Sequence, residues 1–294
     1  MRNFFKKGLF ASLALAGVVA LTGCASDAAA GEFNFDRQIN VIARDAGSGT
    51  HGAFIEVLGI EVRDADGNTT DHTTVDAEVA PSTSGVITSV AGNTYSIGYI
   101  SLGSLNDSVT AINVGGVSAT AANVQNGSYE LFRTFYIAVQ ENVSDLTQDF
   151  INFILSAEGQ EIAARSYVPA ISNASAYVAA GNLSGTIVVS GSTSVAPLFE
   201  RLKEAYEEIH PNVTVEVHSA GTSAGINAAI SGLADIGMSS RELRPAELEE
   251  VRSITVAYDG LAVIVNNASP ITNLTPEQIR SIFVGETTRW SGLE

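Results

Sequence analysis

The stretch Arg44-Asp45-Ala46-Gly47-Ser48-Gly49-Thr50 lies between a predicted strand, Ile39 to Ala43, and a predicted helix, Gly52 to Leu58. A glycine-rich loop in this position turns backbone N–H groups outward at the positive end of a helix dipole, so it suits an anion. The arginine adds a fork of charged donors, and the serine and threonine add hydroxyls. A single loop of this kind is more often a simple tight turn. Its repetition along the chain favours an anion site.

Three further hydroxyl-rich loops follow predicted strands, and two of them run into helices. They are Gly191-Ser192-Thr193-Ser194 after strand 186–190, Ser219 to Gly225 after strand 213–217, and Ser239-Ser240 after strand 235–238. Alternating strands and helices predict α/β layers with mostly parallel sheets, in which ligands lie at the carboxyl ends of strands. The shared chemistry of these loops is hydrogen-bond donation, which a small tetrahedral oxyanion requires.

The amino-acid composition narrows the range of possible functions further. The chain has 294 residues, enough for one large or two medium domains, and a formal charge of -17 with a pI near 4.5. Such acidity argues against nucleic-acid binding, but a buried anion site relies on local dipoles and remains compatible with it. One cysteine and four scattered histidines predict neither a disulfide nor a metal site.

The first residues predict export and lipidation. A basic start is followed by an apolar run, Leu9 to Leu21, and then by Thr22-Gly23-Cys24. The run is too short for a membrane span and indicates a signal peptide over residues 1–23. Because the single cysteine follows small residues, as in a lipobox, we expect Cys24 to carry the lipid, palmitate included. Residues 24–34 are then a tether.

Three other segments have distinct patterns. The apolar spacing over 146–164 predicts one amphipathic helix. Residues 170–185 are mostly small and predict a linker. The turn-rich segment 63–74 predicts a surface hairpin loop rather than a calcium loop, because it has no glutamate at the twelfth position.

The main enzyme alternative is Gly221-Thr222-Ser223-Ala224-Gly225, a literal G-x-S-x-G between a strand and a helix. A serine hydrolase of that order needs an acid and then a histidine after Ser223. All four histidines precede it. The short pattern also recurs by chance, so this alternative ranks below anion binding.

Taken together, these loops resemble those of the phosphate-binding proteins of bacterial phosphate ABC transporters, and the resemblance covers nearly everything after the tether. The matching stretches are Ala43–Thr50, Ser190–Pro197, Ser219–Ile226, Asp235–Arg241, Tyr258–Val265, Leu274–Ile279, Ile282–Gly285 with Trp290, Asn126–Tyr129 and Phe150–Gln160. Each loop alone is a weak signal, but their combination is specific.

The resemblance implies an α/β, two-lobed periplasmic-binding-protein fold of type II whose cleft closes over phosphate. The phosphate ligands that it implies by position are Arg44, Ser48, Gly49, Thr50, Thr193, Ser194, Thr222 and Ser240. It further implies a monomeric binding protein, not an enzyme and without a cofactor, that delivers inorganic phosphate to ABC permease subunits. With the lipid on Cys24, its expected location is the extracytoplasmic face of the cell membrane.

The sequence departs from the family in two ways. Some members have an aspartate, which can accept a phosphate proton, where Ser240 stands, and an acid where Ala46 stands. The discrimination of phosphate from sulfate is therefore not carried over. The second departure is order, because the half that normally comes second comes first here. We interpret this as a circular permutation, with 170–185 joining the usual ends, and the alternative is a fragment of a tandem array.

The permuted order predicts a discontinuous lobe A, residues 35–103 plus 266–294, and a continuous lobe B, residues 104–265. On this hypothesis lobe A needs the last residues of the chain to fold. Two other functions stay open at this point: a phosphate-sensing or other oxyanion-binding module without transport, and hydrolysis through Ser223.

Overall fold

Strands form where β-branched residues run together, as in Thr186-Ile187-Val188-Val189, and each helix begins near a hydroxyl or proline residue. The computed structural model describes residues 32–64 and 68–293. The predicted signal peptide, Cys24 and the tether up to residue 31 lie outside the described residues. Among those described, no helix has the length and apolar character needed to cross a membrane.

The strands of the described residues are numbered β1 to β14 in chain order. They are β1 Asn40–Arg44, β2 Glu61–Arg63, β3 Thr69–Asp71, β4 Glu78–Ala80, β5 Ser96–Ser101, β6 Val109–Ala111, β7 Asn113–Val114, β8 Phe132–Val139, β9 Val168–Pro169, β10 Gly185–Gly191, β11 Val213–Ser219, β12 Ile236–Ser239, β13 Arg252–Asn266 and β14 Asn273–Leu274.

The α-helices are numbered in the same way. They are α1 Gly49–Val57, α2 Thr83–Gly92, α3 Ala121–Gln125, α4 Asp145–Leu155, α5 Ala157–Ala164, α6 Ala196–Ile209, α7 Thr222–Ile230, α8 Pro245–Leu248 and α9 Pro276–Phe283. Two short 3₁₀ turns, Leu102–Ser104 and Trp290–Leu293, complete them.

Ten of these strands form one sheet in the order β11-β10-β12-β8-β13-β5-β1-β4, with β6 and β9 also pairing with β13. The outer pairs at each end are parallel, as predicted. The prediction of a mostly parallel sheet is wrong in the middle, where β12–β8, β8–β13 and β13–β5 are antiparallel. Strands β8 and β13 account for this, because each is antiparallel to both of its neighbours in the order.

Both faces of the sheet are buried, and β13 passes from one hydrophobic core to another partway along its length. In β1, Val41 and Ile42 belong to different apolar clusters, since successive strand side chains point to opposite faces. Strand β13 pairs with β8 up to Gly260 and with β5 from Leu261 onward. The sheet therefore divides into two lobes within one strand.

This division bears on the predicted lobe boundaries, which stay a prediction. The crossings were expected at 103/104 and 265/266, but residues 109–131 and 261–265 pack with the core of lobe A. We therefore propose 33–131 and 261–293 as lobe A and 132–260 as lobe B. Asp259 and Gly260 interrupt the apolar residues of β13 at this crossing, but the pair does not by itself show that the strand changes its partner there.

Two local predictions have clear outcomes. The helix expected over 146–164 is two helices, because Ser156 leaves the helical backbone and its hydroxyl accepts the Gly159 N–H at 3.2 Å, capping α5. The predicted surface hairpin is present, as β2 pairs antiparallel with β3.

The two ends of the described chain pack together. The Ile39 N–H donates to Thr288 O at 2.9 Å, the Ser291 N–H donates to Phe35 O at 2.8 Å, and the Phe33 and Trp290 rings lie 6.0 Å apart. Circular permutation requires such proximity where the original chain was continuous. The permutation itself stays a prediction.

Candidate functional site

The loop Arg44–Thr50 joins the end of β1 to the start of α1, where its own aspartate shapes it. The Gly47 N–H donates to Asp45 Oδ1 at 3.0 Å, and the Ser48 N–H donates to Asp45 O at 2.9 Å. Ser48 caps α1 by accepting the His51 N–H at 3.4 Å. The helix begins at Gly49, three residues earlier than predicted, so the first-turn N–H groups of Gly49 and Thr50 have no carbonyl within the helix to bond.

The loops of lobe B meet because β10 lies parallel to both β11 and β12. Ser192 Oγ donates to Ser240 Oγ at 2.9 Å, and Thr222 Oγ1 lies 3.2 Å from the same oxygen. The Ser240 N–H also points at Thr222 Oγ1, at 3.3 Å. The carboxyl ends of these strands therefore bring Thr222 and Ser240 together, as the sequence predicted.

Contacts between the lobes bring the two sets of loops into one place. Thr50 Oγ1 lies 2.8 Å from Ser194 Oγ, and the Ser223 N–H donates to Gly47 O at 3.2 Å. A Cβ built on Gly49 would lie 2.6 Å from Thr222 Oγ1 and 2.7 Å from Ser240 Oγ. Only a residue without a side chain allows so close an approach.

Sequence reasoning missed two members of this site, Thr83 and Ser192. Thr83 Oγ1 lies 3.1 Å from Thr193 Oγ1 and 3.0 Å from Ser194 Oγ, and the Thr83 N–H points at Thr193 Oγ1 at 3.3 Å. Thr83 follows a strand and opens a helix, as the predicted loops do, but β4 has only three residues and gives no clear strand signal. Ser192 lies in the predicted loop Gly191–Ser194, next to the two residues that the family resemblance marks as ligands.

These side chains form what we call the hydroxyl cluster, defined as seven hydroxyl residues of the two lobes. Its members are Thr50, Thr83, Ser192, Thr193, Ser194, Thr222 and Ser240. Thr50 and Thr83 bond Thr193 or Ser194 across the cleft, and the other three members bond one another within lobe B. All but Thr193 are buried. Among the described residues, the cluster hydroxyls make no hydrogen bond to a carboxylate. Donor hydroxyls with no fixed negative charge beside them suit an oxyanion.

Arg44 supports this cluster in a way the sequence did not indicate. Its guanidinium is buried and donates from Nε to Ala80 O at 3.1 Å, from Nη2 to Pro81 O at 3.3 Å and from Nη1 to Thr83 Oγ1 at 3.4 Å. Burial lowers the pKa of Arg44 and the nearby Asp45 carboxylate opposes this shift. Arginine stays charged in proteins, so a positive charge lies behind the cluster.

The surroundings of Ser223, the possible nucleophile of the enzyme alternative, indicate a structural role instead of a catalytic one. Buried His51 bonds Asp71 and Tyr99, and buried His210 bonds Tyr177, so neither ring is directed at Ser223. The glycine that completes the pattern, Gly225, allows close packing, since a Cβ there would lie 2.3 Å from the Gly191 Cα. In the part of the chain that the structure describes, no group of three or more His, Cys, Asp or Glu residues could hold a metal ion.

Comparisons with known proteins agree with this geometry. A family model described as a PBP superfamily domain matches residues 26–158 and 178–293. Phosphate-binding protein PstS 2 of Streptococcus agalactiae is 42% identical over 296 residues, which cover 100% of this chain and 99% of the relative. A solved phosphate-binding protein of a phosphate ABC transporter from Streptococcus pneumoniae is 42% identical, with a TM-score of 0.69, covering 88% of this chain and 100% of that chain.

A match over a shorter segment is relevant to the predicted circular permutation. Phosphate-binding protein PstS of Pseudomonas aeruginosa is 30% identical over 141 residues, 45% of this chain and 43% of the relative. The Streptococcus agalactiae relative shares the order of this chain from end to end, whereas a match over half a chain is what a permuted order would give. The two-lobed binding-protein fold is confirmed.

Proposed function

This chain belongs to the PBP superfamily and, within it, to the family of PstS phosphate-binding proteins; on that premise we propose that it captures inorganic phosphate between its lobes for an ABC importer. Its role is to bind and release, with no chemical step. The relatives named above are binding components of transporters, which supports this assignment over hydrolysis through Ser223.

The observation that carries the proposal is the hydroxyl cluster across the cleft. Thr50 and Thr83 come from lobe A, and Ser194, Thr222 and Ser240 come from lobe B. An oxyanion between them accepts hydrogen bonds that the hydroxyls now make with one another. Because the fold already fixes these groups, binding orders few side chains and costs less entropy than flexible lysines would.

Thr83 and Ser192 are added to the proposed ligand set on the strength of their contacts with Ser194 and Ser240. Arg44 contributes its charge from behind Thr83, and the Gly49 and Thr50 N–H groups contribute the helix dipole. Closure is a hinge motion of two lobes, which the two crossings at 131/132 and 260/261 permit.

The proposed location is the extracytoplasmic face of the membrane, with the lipid on Cys24 and the protein acting as a monomer beside its permease. The predicted signal sequence and the transporter context of the relatives support it. Cys24→Ala should release the protein from cells into the medium, and uptake of labelled phosphate by cells lacking the protein separates transport from a purely sensing role.

The decisive test is calorimetric titration of the purified protein, after bound anions have been removed by partial unfolding, with phosphate, arsenate and sulfate. We expect phosphate and arsenate to bind with one site per chain. Thr50→Val keeps the shape and removes one cross-lobe hydroxyl, so it should weaken binding by about five- to tenfold. A protein that binds none of the three anions contradicts the proposal.

A further inference from the structure

Both ends of the loop Arg44–Thr50 are tied to a single hydroxyl group. The Arg44 N–H donates to Tyr99 Oη at 3.0 Å, and His51 Nδ1 lies 2.8 Å from the same oxygen. The Tyr99 side chain is 1% exposed and stacks on Phe54 with the ring centroids 3.8 Å apart. The hydroxyl therefore sits where the loop leaves β1 and where it enters α1.

The positions of the protons decide which group donates in the contact between Tyr99 and His51. Burial raises the pKa of Tyr99, so its hydroxyl keeps its one proton. That oxygen already accepts the Arg44 N–H, and its own O–H is left to donate to His51 Nδ1. His51 then carries its proton on Nε2, which lies 2.6 Å from Asp71 Oδ2. Each hydrogen bond in this series is donated in the same direction, from the Arg44 N–H through Tyr99 and His51 to the Asp71 carboxylate.

Asp71, the last residue in this series of hydrogen bonds, lies outside the site. Asp71 ends β3 of the surface hairpin, and its side chain is 38% exposed. Burial works to raise the pKa of the Asp71 carboxyl, but hydrogen bonds from Thr73 and His51 outweigh it and hold the pKa below its ordinary value. The carboxylate is thus ionised at neutral pH and fixes the His51 tautomer.

We propose that Asp71, His51 and Tyr99 are positioning residues that hold the phosphate loop in its binding shape, so that the surface hairpin helps to set phosphate affinity. None of the three bonds a member of the hydroxyl cluster. They act through the loop, since a displaced Arg44 backbone or a tilted α1 would move Thr50. This inference rests on the proposed function and adds a second layer of residues to it.

The test compares two substitutions that remove the same charge. Asp71→Ala deletes the last acceptor, and Asp76→Ala, an exposed acid five residues later, is the matched control. Loss of a negative charge by itself should favour anion binding slightly. We expect Asp71→Ala to weaken phosphate binding about tenfold, opposite in sign to that effect, and Asp76→Ala to change it less than twofold. Equal affinity in the two variants overturns the proposal.

A second variant and a spectroscopic measurement separate positioning from general stability. Tyr99→Phe keeps the ring on Phe54 and removes the hydroxyl that bonds the Arg44 N–H and His51. Its phosphate affinity should therefore fall at least as far as that of Asp71→Ala. Nitrogen NMR of the imidazole should show His51 with Nε2 protonated and Nδ1 bare, and Asp71→Ala should abolish that single tautomer. A His51 signal unchanged in Asp71→Ala overturns the proton order.

The two hypotheses fail in different ways. Wild-type protein that binds no phosphate contradicts the proposed function. Wild-type protein that binds phosphate, with Asp71→Ala indistinguishable from Asp76→Ala, contradicts the positioning role alone.

Discussion

Substitution of Gly49 by alanine tests whether the lobes close as tightly as the structure has them. Gly49 is the first residue of α1, and its φ does not lie in the left-handed region that favours glycine. Alanine therefore causes no backbone strain there and improves helix propensity. Any loss of binding comes from the added methyl group.

The size of the loss follows from the distances. The new Cβ would lie 2.6 Å from Thr222 Oγ1, 2.7 Å from Ser240 Oγ and 3.0 Å from the Ser240 carbonyl carbon, whereas ordinary contact begins at 3.4 Å. The lobes must separate by about 0.8 Å, and overpacking of this kind costs about 1–3 kcal/mol. Phosphate affinity should fall about 5- to 150-fold.

Calorimetry gives the affinity, and small-angle X-ray scattering at saturating phosphate reports whether the lobes still close. Gly52→Ala is the matched control, because it lies on the same helix and its Cβ would meet only Arg241 Cδ at 3.7 Å. Gly49→Ala with unchanged affinity would falsify the close contact of α1 with Thr222 and Ser240. A general loss of stability would lower the melting temperature of the phosphate-free protein, which we expect to change little.

Three further predictions follow from the lobes and their joints. Thr83→Val should weaken phosphate binding about five- to tenfold in calorimetry, whereas Thr88→Val, on the exposed side of α2, should not alter it; equal affinities would remove Thr83 from the site. Asp259→Ala leaves Arg133 buried and unpaired at the lobe crossing, so denaturant titration should show a loss of about 3–5 kcal/mol in unfolding free energy, and a loss under 1 kcal/mol would contradict the pairing. Deleting residues 275–294 removes α9 and the buried Trp290, and circular dichroism should show that lobe A no longer folds; full stability and binding in the truncated protein would reject a discontinuous lobe A.

The ligand loops could be predicted from the sequence because each is a local pattern. Thr193, Thr222 and Ser240 follow strands with a clear apolar pattern, which is contiguous in β10 and alternates with polar residues in β11. Hydroxyl residues at such strand ends have few roles other than capping or binding. Thr83 follows a strand of three residues that is exposed at two of them, so the same pattern was hidden. Local signals fail where the strand is short.

Long-range features could not be predicted in this way. The lobe crossing inside β13 depends on which neighbour each half of the strand pairs with, and the interruption at Asp259-Gly260 does not specify either partner. The contacts of His51 with Asp71 and Tyr99 join residues 20 and 48 positions away. The sequence therefore shows His51 only as the residue after the ligand loop, and its two partners are visible only in the fold.

Arg44 shows why a donor-only site is compatible with a chain of net charge -17. Its guanidinium is covered by Ala80, Pro81 and Thr83, with its nearest carboxylate, Asp45, 3.7 Å away in the same loop. Carboxylates elsewhere on the surface are screened by salt over about 8–10 Å. Of the two arginines buried among the described residues, Arg133 is paired with Asp259, so Arg44, the start of α1 and neutral hydroxyls set the local field at the cleft. Surface acidity can serve solubility while the cleft attracts an anion, provided that the lobes close and exclude water from it.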